Sequence, residues 1–375
     1  MTQTRRLLSS QPWIYSWLVD SILIIAPSFL AVAAVLFFRE AFDQTMGVPL
    51  WAWVSFILCI DVAHVYGTIY RTYLNPVEFK ENKTMLTIIP LLCWLGGVLL
   101  YSISGLLFWQ VLAYVAVFHF IRQQYGFMML YSRKETNRSF KWMDKSLVYL
   151  ATLYPIVYWH THLPRNFHWF VDGDFLAVMP KQMEWVVLSL YVVSIILYAA
   201  KEIIFFVKFR QFSLPKQLII FGTALSWYAG IVLLNGDMAF TITNVVSHGL
   251  PYIGLIWIYG RKQVRARPDE AVVSKLKFKH LFSLRFVPLF IGSLLILAYL
   301  EEGLWNGFVW REHLSVFGLF SHFPKIADHS TLAWLVPLLS LPQVTHYVLD
   351  GFIWKLRDPN ASWQKVVFPR EVQLS

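Results

Sequence analysis

His64, His119, His248 and His346 each stand inside a long apolar run of the sequence, and each has a polar companion at helical spacing. Asp61 and Thr68 flank His64 at i−3 and i+4, and Gln343 and Asp350 flank His346 in the same way. Asn244 precedes His248 by four residues, and Gln123 follows His119 by four. On an α-helix these spacings put the imidazole and its companion on one face. A metal-binding imidazole needs such a companion, which holds the second ring nitrogen and fixes the tautomer. Imidazoles supported by carboxylates and amides suit iron, zinc, manganese or copper, and the lack of cysteine ligands disfavours Cu(I). Iron ranks first, because a membrane cavity concentrates both an apolar substrate and dioxygen. Haem with two axial histidines ranks second, since it leaves the other two unexplained. A proton pathway and plain interhelical hydrogen bonding are the further alternatives.

Asp61, Gln123, Asn244 and Asp350 are therefore the candidate ligands or supporting groups around His64, His119, His248 and His346. Arg122 lies three residues from His119 and about 13 Å from the end of its run, which is long for a snorkelling side chain. It is expected to face inward, toward Asp61, Asp350 or a substrate carboxylate. Lys201 and Glu202 lie near the end of theirs and are expected at the interface.

The elements that must position these residues are membrane-spanning helices. Hydrophobic residues make up 57 % of the chain, aromatics 17 % and charged residues only 14 %. A soluble surface needs more charge than that. Apolar runs fall at about 17–38, 50–70, 84–104, 107–131, 144–160, 183–209, 215–235, 237–260, 281–300 and 331–355. Each is near the ~20 residues that cross a bilayer. The expected fold is all-α: one polytopic bundle of about ten transmembrane helices, with no separable soluble domain, internal repeat or cleavable signal.

Orientation follows from lysine and arginine. With both termini cytoplasmic, only Arg39, Arg165, Lys181, Arg311 and Lys325 fall outside, and Arg122 falls within a span. The net charge of +10 thus marks topology and anionic-lipid contact, above all in the loop 261–285, rather than nucleic-acid binding. The sequons at Asn82, Asn137 and Asn360 fall on the cytoplasmic side and are expected to carry no sugar. Counted from those ends, the four histidines differ in depth by roughly 9 Å, at about 1.5 Å per residue. The outer loops hold His160, His162, His168, His313, His322 and His329 among aromatic residues, a pattern of interfacial anchoring. Cys59 and Cys93 read as small core hydrophobes.

The segments DVAHVYGTIYRTY, FHFIRQQYGF, TNVVSHGLPY and QVTHYVLDGFIWK carry these polar residues. In architecture the chain resembles the integral-membrane histidine–iron oxygenases. These include the fatty-acid desaturases and hydroxylases, and the bacterial β-carotene-cleaving dioxygenases. The resemblance implies a non-haem iron oxygenase acting on a lipophilic small molecule. It extends to the dispersed single histidines but not to the desaturase boxes, since no His-x-x-His-His occurs. Neither His-Glu-x-x-His, Gly-x-Ser-x-Gly nor a Walker A loop is present, which argues against metalloprotease, serine hydrolase and ATP-driven pump. The expected setting is a bacterial inner membrane or its equivalent. The competing classes are an ion- or proton-coupled transporter or channel, and a haem-binding or structural subunit of a membrane complex.

Cysteines introduced at Lys134, Arg265 and Ser375 should label from the cytoplasmic side, and those at Arg165 and Lys325 from the opposite side. Labelling of the 265 and 165 positions from one side would refute the ten-span reading.

Overall fold

The computed structural model describes residues 11–43, 47–137, 139–266, 281–355 and 362–368. Most of the basic loop 261–285 and the sequon at Asn360 lie outside them. The described residues contain helices and no strands. Helix covers each of the ten apolar runs: α1 (Trp17–Phe37), α2 (Leu50–Arg71), α3 (Pro76–Ile103), α4 (Gly105–Tyr131), α5 (Lys141–Thr161), α6 (Gln182–Phe209), α7 (Leu214–Leu233), α8 (237–266), α9 (Leu284–Phe308), and the pair α10 (His329–Leu339) and α11 (Leu341–Ile353). Of these, seven are long and apolar enough to cross a membrane, or eight if α10 and α11, bent by 46°, count as one span. The count of ten exceeds this because α5 and α8 interleave polar and charged side chains with the apolar ones.

The starts of four helices follow from their sequence. Asn75 and Ser213 accept from the amides of Glu78 and Lys216, with Pro76 and Pro215 in the first turns of α3 and α7. Asp328 caps α10 through the Thr331 amide. Pro342, which has no N–H, opens α11 at the bend.

Four of the helices contain π-helical turns, in which the backbone bonds from i to i+5. They lie at Ser21–Ile25, Trp53–Val62, Tyr228–Leu233 and Ile242–Val246. Two of them end two residues before a histidine, His64 on α2 and His248 on α8.

The chain divides into two compact units, Met1–Val48 with Phe120–Pro251 and Pro49–His119 with Tyr252–Ser375. In the first, α5 packs on α6 and α7, and α7 on α1. Its polar interior is a set of ion pairs. Lys201 pairs with Asp144 and, at 2.9 Å, with Glu202; Lys216 reaches Glu135 at 2.5 Å and Glu202 at 2.7 Å. Lys201 is thus buried, not interfacial as its place in the run suggests. In the loop after α4, burial raises the Glu135 carboxyl above its ordinary value and the Lys216 ammonium opposes that rise. Arg165 closes the C-terminal end of α7 by donating to the carbonyls of Ile231 and Leu234, at 2.7 and 2.8 Å. The loop between α5 and α6 packs Phe167 and Phe175 against Trp159, at ring distances of 4.5 and 4.4 Å.

In the second unit, α3 packs on α10 and α11, and α2 on α9. Arg71, which by sequence is a loop-end topology marker, is buried instead. It pairs with Glu78 at 2.8 Å and lies over the Tyr259 ring at 4.3 Å. Asn75 and Gln263 exchange amide hydrogen bonds at 2.9 and 3.1 Å.

Lys216→Ala should destabilise the protein strongly, by about 3–5 kcal/mol, because Glu135 and Glu202 stay buried without their shared cation. Thermal unfolding in detergent reads this out. A shift no larger than that of an exposed change such as Lys208→Ala would contradict the buried-network account.

Candidate metal centre

His64, His119, His248 and His346 are 1, 4, 0 and 1 % exposed. Their ligand nitrogens all lie within 4.8 Å of one another, so the four could hold a metal ion. A tetrahedral ion with metal–nitrogen bonds of about 2.0–2.1 Å draws its ligands to roughly 3.4 Å apart. Small side-chain rotations would therefore close the ring of imidazoles around an ion.

His346 is the most firmly set. Its ring centroid lies 4.5 Å from that of His119 and 5.0 Å from that of His64. Its Nδ1 lies 2.7 Å from the Thr68 hydroxyl, while its Nε2 is buried with no hydrogen-bond partner. The contacts beyond Thr68 fix the tautomer. Tyr252 donates its phenolic hydrogen to Asp350 Oδ1 at 2.7 Å. Only the Thr68 hydrogen then remains for the 2.8 Å contact between the two hydroxyls. The Thr68 oxygen must accept from Nδ1–H of His346, which leaves the Nε2 lone pair for a cation. This donor set fits a metal, because a buried imidazole nitrogen with a lone pair and no donor is otherwise unfavourable.

Gly67 makes room for this relay. A Cβ there would come within 3.3 Å of the Tyr252 ring and of Ile256. His64 turns its Nδ1 toward the Ile60 carbonyl at 3.3 Å, which leaves Nε2 as the nitrogen it could offer an ion. The Tyr347 ring lies 4.8 Å from His119, and Gln343 hydrogen-bonds the Tyr347 side chain.

His248 is set by the backbone of α8. Pro251 has no N–H for the Ser247 carbonyl one turn back, and the Gln124 amide fills that gap at 3.2 Å. Gln124 is itself held by the Thr223 hydroxyl at 3.1 Å. Gln123 donates to the His248 carbonyl at 2.8 Å. Phe120 stacks on the imidazole at 3.6 Å with an interplanar angle of 8°.

Several expectations change. Thr68 and Asp350 support the centre across helices: Thr68 holds His346, not its neighbour His64, and Asp350 acts through Tyr252. Asp350 Oδ1 is 3.7 Å from His346 Nδ1, and Asp61 is 3.8 Å from His64 Nδ1, both beyond hydrogen-bond range. Asn244 donates to the Phe240 carbonyl at 3.0 Å, and its Oδ1 is buried without a partner. Gln123 engages His248, not His119. The π turns explain part of this, since Asp61 and Asn244 lie within them, where the i+4 rule of a regular α-helix fails. Arg122 faces away from the centre: it is exposed, and its guanidinium donates to the Tyr149 hydroxyl at 3.2 Å. His160, which is buried, stacks on Phe175, and His162 stacks on Tyr158.

Gln124, Thr223 and Tyr347 were not singled out by sequence, although the Gln-Gln pair and the SHGLP segment offered a signal. A proline one turn past a histidine leaves a carbonyl that some side chain must satisfy. Fold and site together define a helical membrane protein with a buried four-histidine cluster. No protein-family model, curated protein or solved structure matches the chain.

Thr68→Val keeps the shape of the side chain but frees the Nδ1 of His346. Metal retention should fall about 10–100-fold in chelator competition, with folding kept. Unchanged retention would show that the relay does not orient the imidazole.

Proposed function

We propose that the chain is a membrane-embedded, non-haem metal oxidoreductase, with iron the leading metal, acting on a lipophilic substrate. The single observation that carries this reading is the convergence of four buried imidazoles within 4.8 Å. A charged ion in so apolar a place needs ligands that bind it directly, and neutral imidazole suits iron, zinc, manganese and copper alike. Iron is favoured because its redox chemistry with dioxygen suits a site reached through lipid, where both dioxygen and apolar substrates concentrate. When bound, the ion supplies electron transfer and dioxygen chemistry.

The chain's own residues have definable tasks. Asp350, Tyr252 and Thr68 orient His346. Gln123 and Gln124 hold the backbone that carries His248. Asp61 and Asn244 stand as supporting groups, the latter with an acceptor oxygen to offer. Arg122 takes no part in this chemistry. The setting is proposed as ten spans with cytoplasmic termini in a bacterial inner membrane or equivalent, with anionic lipid against the basic loops.

A proton- or ion-coupled transporter is the second reading. It is favoured by the acidic residues Asp61 on α2 and Glu301 and Glu302 on α9, with the Tyr66 hydroxyl on Glu301 at 2.7 Å. A haem-binding or structural subunit has no comparable support.

Protein purified in mild detergent should carry a stoichiometric metal by elemental analysis, and chelation should abolish dioxygen-dependent turnover. Single replacement of His64, His119, His248 or His346 by alanine should lower metal content with membrane insertion little changed. Asn244→Ala should be milder, and His160→Ala or His162→Ala without effect on metal. Folded, active, metal-free protein would rule out the oxidoreductase. Metal-independent, proton-driven flux in proteoliposomes would establish the transporter instead.

A further inference from the structure

Arg122 raises a question that the metal centre does not answer. It lies about 13 Å before the end of α4, at about 1.5 Å per residue, yet its side chain points outward. The same face of α4 exposes Phe118 one turn away and Val111 further along, which is the pattern of a surface turned to lipid. A cation there is unfavourable unless an anion meets it.

No protein carboxylate does so among the described residues. The guanidinium donates to the Tyr149 hydroxyl at 3.2 Å and lies 5.5 Å from the Tyr125 ring. A second cation joins it: Lys145 is exposed, with its ammonium 5.6 Å from the Tyr149 ring and no acidic partner among the described residues. The Tyr125 and Tyr149 rings pack at 5.7 Å and form the wall between the cations. On α5, Trp142, Lys145 and Tyr149 share one face, and Trp142 is more than half exposed near the helix start. Tryptophan settles at the headgroup level. Lys145 is then one turn deeper. Tyr149 leans back toward the start of α5, as helical side chains do, and holds the arginine toward that level.

We propose that Arg122, Lys145 and the Tyr125–Tyr149 wall form a binding site for the phosphodiester of an anionic phospholipid. The two cations hold the phosphate, Tyr149 orients the guanidinium, and the acyl chains lie along the apolar stripe that continues past Phe118. Arginine suits this role because its planar fork donates two hydrogen bonds to one phosphate and is less strongly hydrated than an ammonium. The site is independent of the metal centre and of the identity of its ion.

Native mass spectrometry of the full chain tests this with phosphatidylglycerol and phosphatidylcholine as probes. Phosphatidylglycerol should be retained preferentially. Arg122→Gln with Lys145→Gln should weaken that retention roughly 25-fold, at about fivefold per lost cation. Lys208→Gln, another exposed cation, should leave it unchanged, and millimolar inorganic phosphate should not displace the lipid. Phosphatidylglycerol held equally by the double variant would overturn the site, and displacement by inorganic phosphate would make it a soluble-anion site instead. If the double variant does not fold, Tyr149→Phe decides. It removes the orienting hydroxyl, so retention should fall; unchanged retention overturns the proposal.

Discussion

A polar group that leaves water for the interior of a lipid-surrounded bundle must be satisfied by other groups of the same chain, since hydrocarbon offers none. Most of this molecule's architecture answers to that requirement. The missing N–H of Pro251 is covered by Gln124, and Gln124 by Thr223. The cations Lys201 and Lys216 share acidic partners among Asp144, Glu135 and Glu202. Arg71 is held by Glu78 and two aromatic faces. Each chain of contacts ends within the protein. The Nε2 of His346 is an exception, buried and unmatched, and it lies where three further imidazoles converge. A cation would complete the accounting there as the side chains do elsewhere.

Rigidity comes with satisfaction. His346 is held by a relay that reaches from α11 to α2 and α8, so its ring cannot turn without breaking hydrogen bonds on other helices. His248 is held differently, by a stacked Phe120 ring and by glutamines that grip the backbone rather than the imidazole. Rigid ligands favour a fixed coordination geometry, which is the usual way a protein selects among metals of similar affinity.

Much of this was legible in the sequence because hydropathy and depth along a helix depend on local composition and counting. The helical runs and the four-histidine layer are both quantities of that kind. What could not be read was which neighbour each polar residue serves. Thr68 looked like the companion of His64 because four residues separate them, yet it bonds to His346 on another helix. Asp350 reaches the centre through Tyr252, a residue that by periodicity alone is one more buried aromatic. Arg122 illustrates the same limit. Depth marked it as unusual, but which side of α4 it faces depends on packing, and α4 has almost no one-sided hydrophobicity to betray it. Lys201 could not be placed from its run because its partner Asp144 is remote in sequence.

The wide turns at Trp53–Val62 and Ile242–Val246 amount to extra chain inserted into otherwise regular helices. Deleting one residue from such a turn would let the helix relax to ordinary winding, which by local energetics is an improvement. All that follows would then rotate by about 100° relative to what precedes it. For α2, His64 and Thr68 would be turned together away from their present neighbours. For α8, the carbonyls gripped by Gln123 and Gln124 would swing away with His248. A shorter, smoother helix would thus lose the cluster, and the irregular winding is what keeps two of its four histidines in phase.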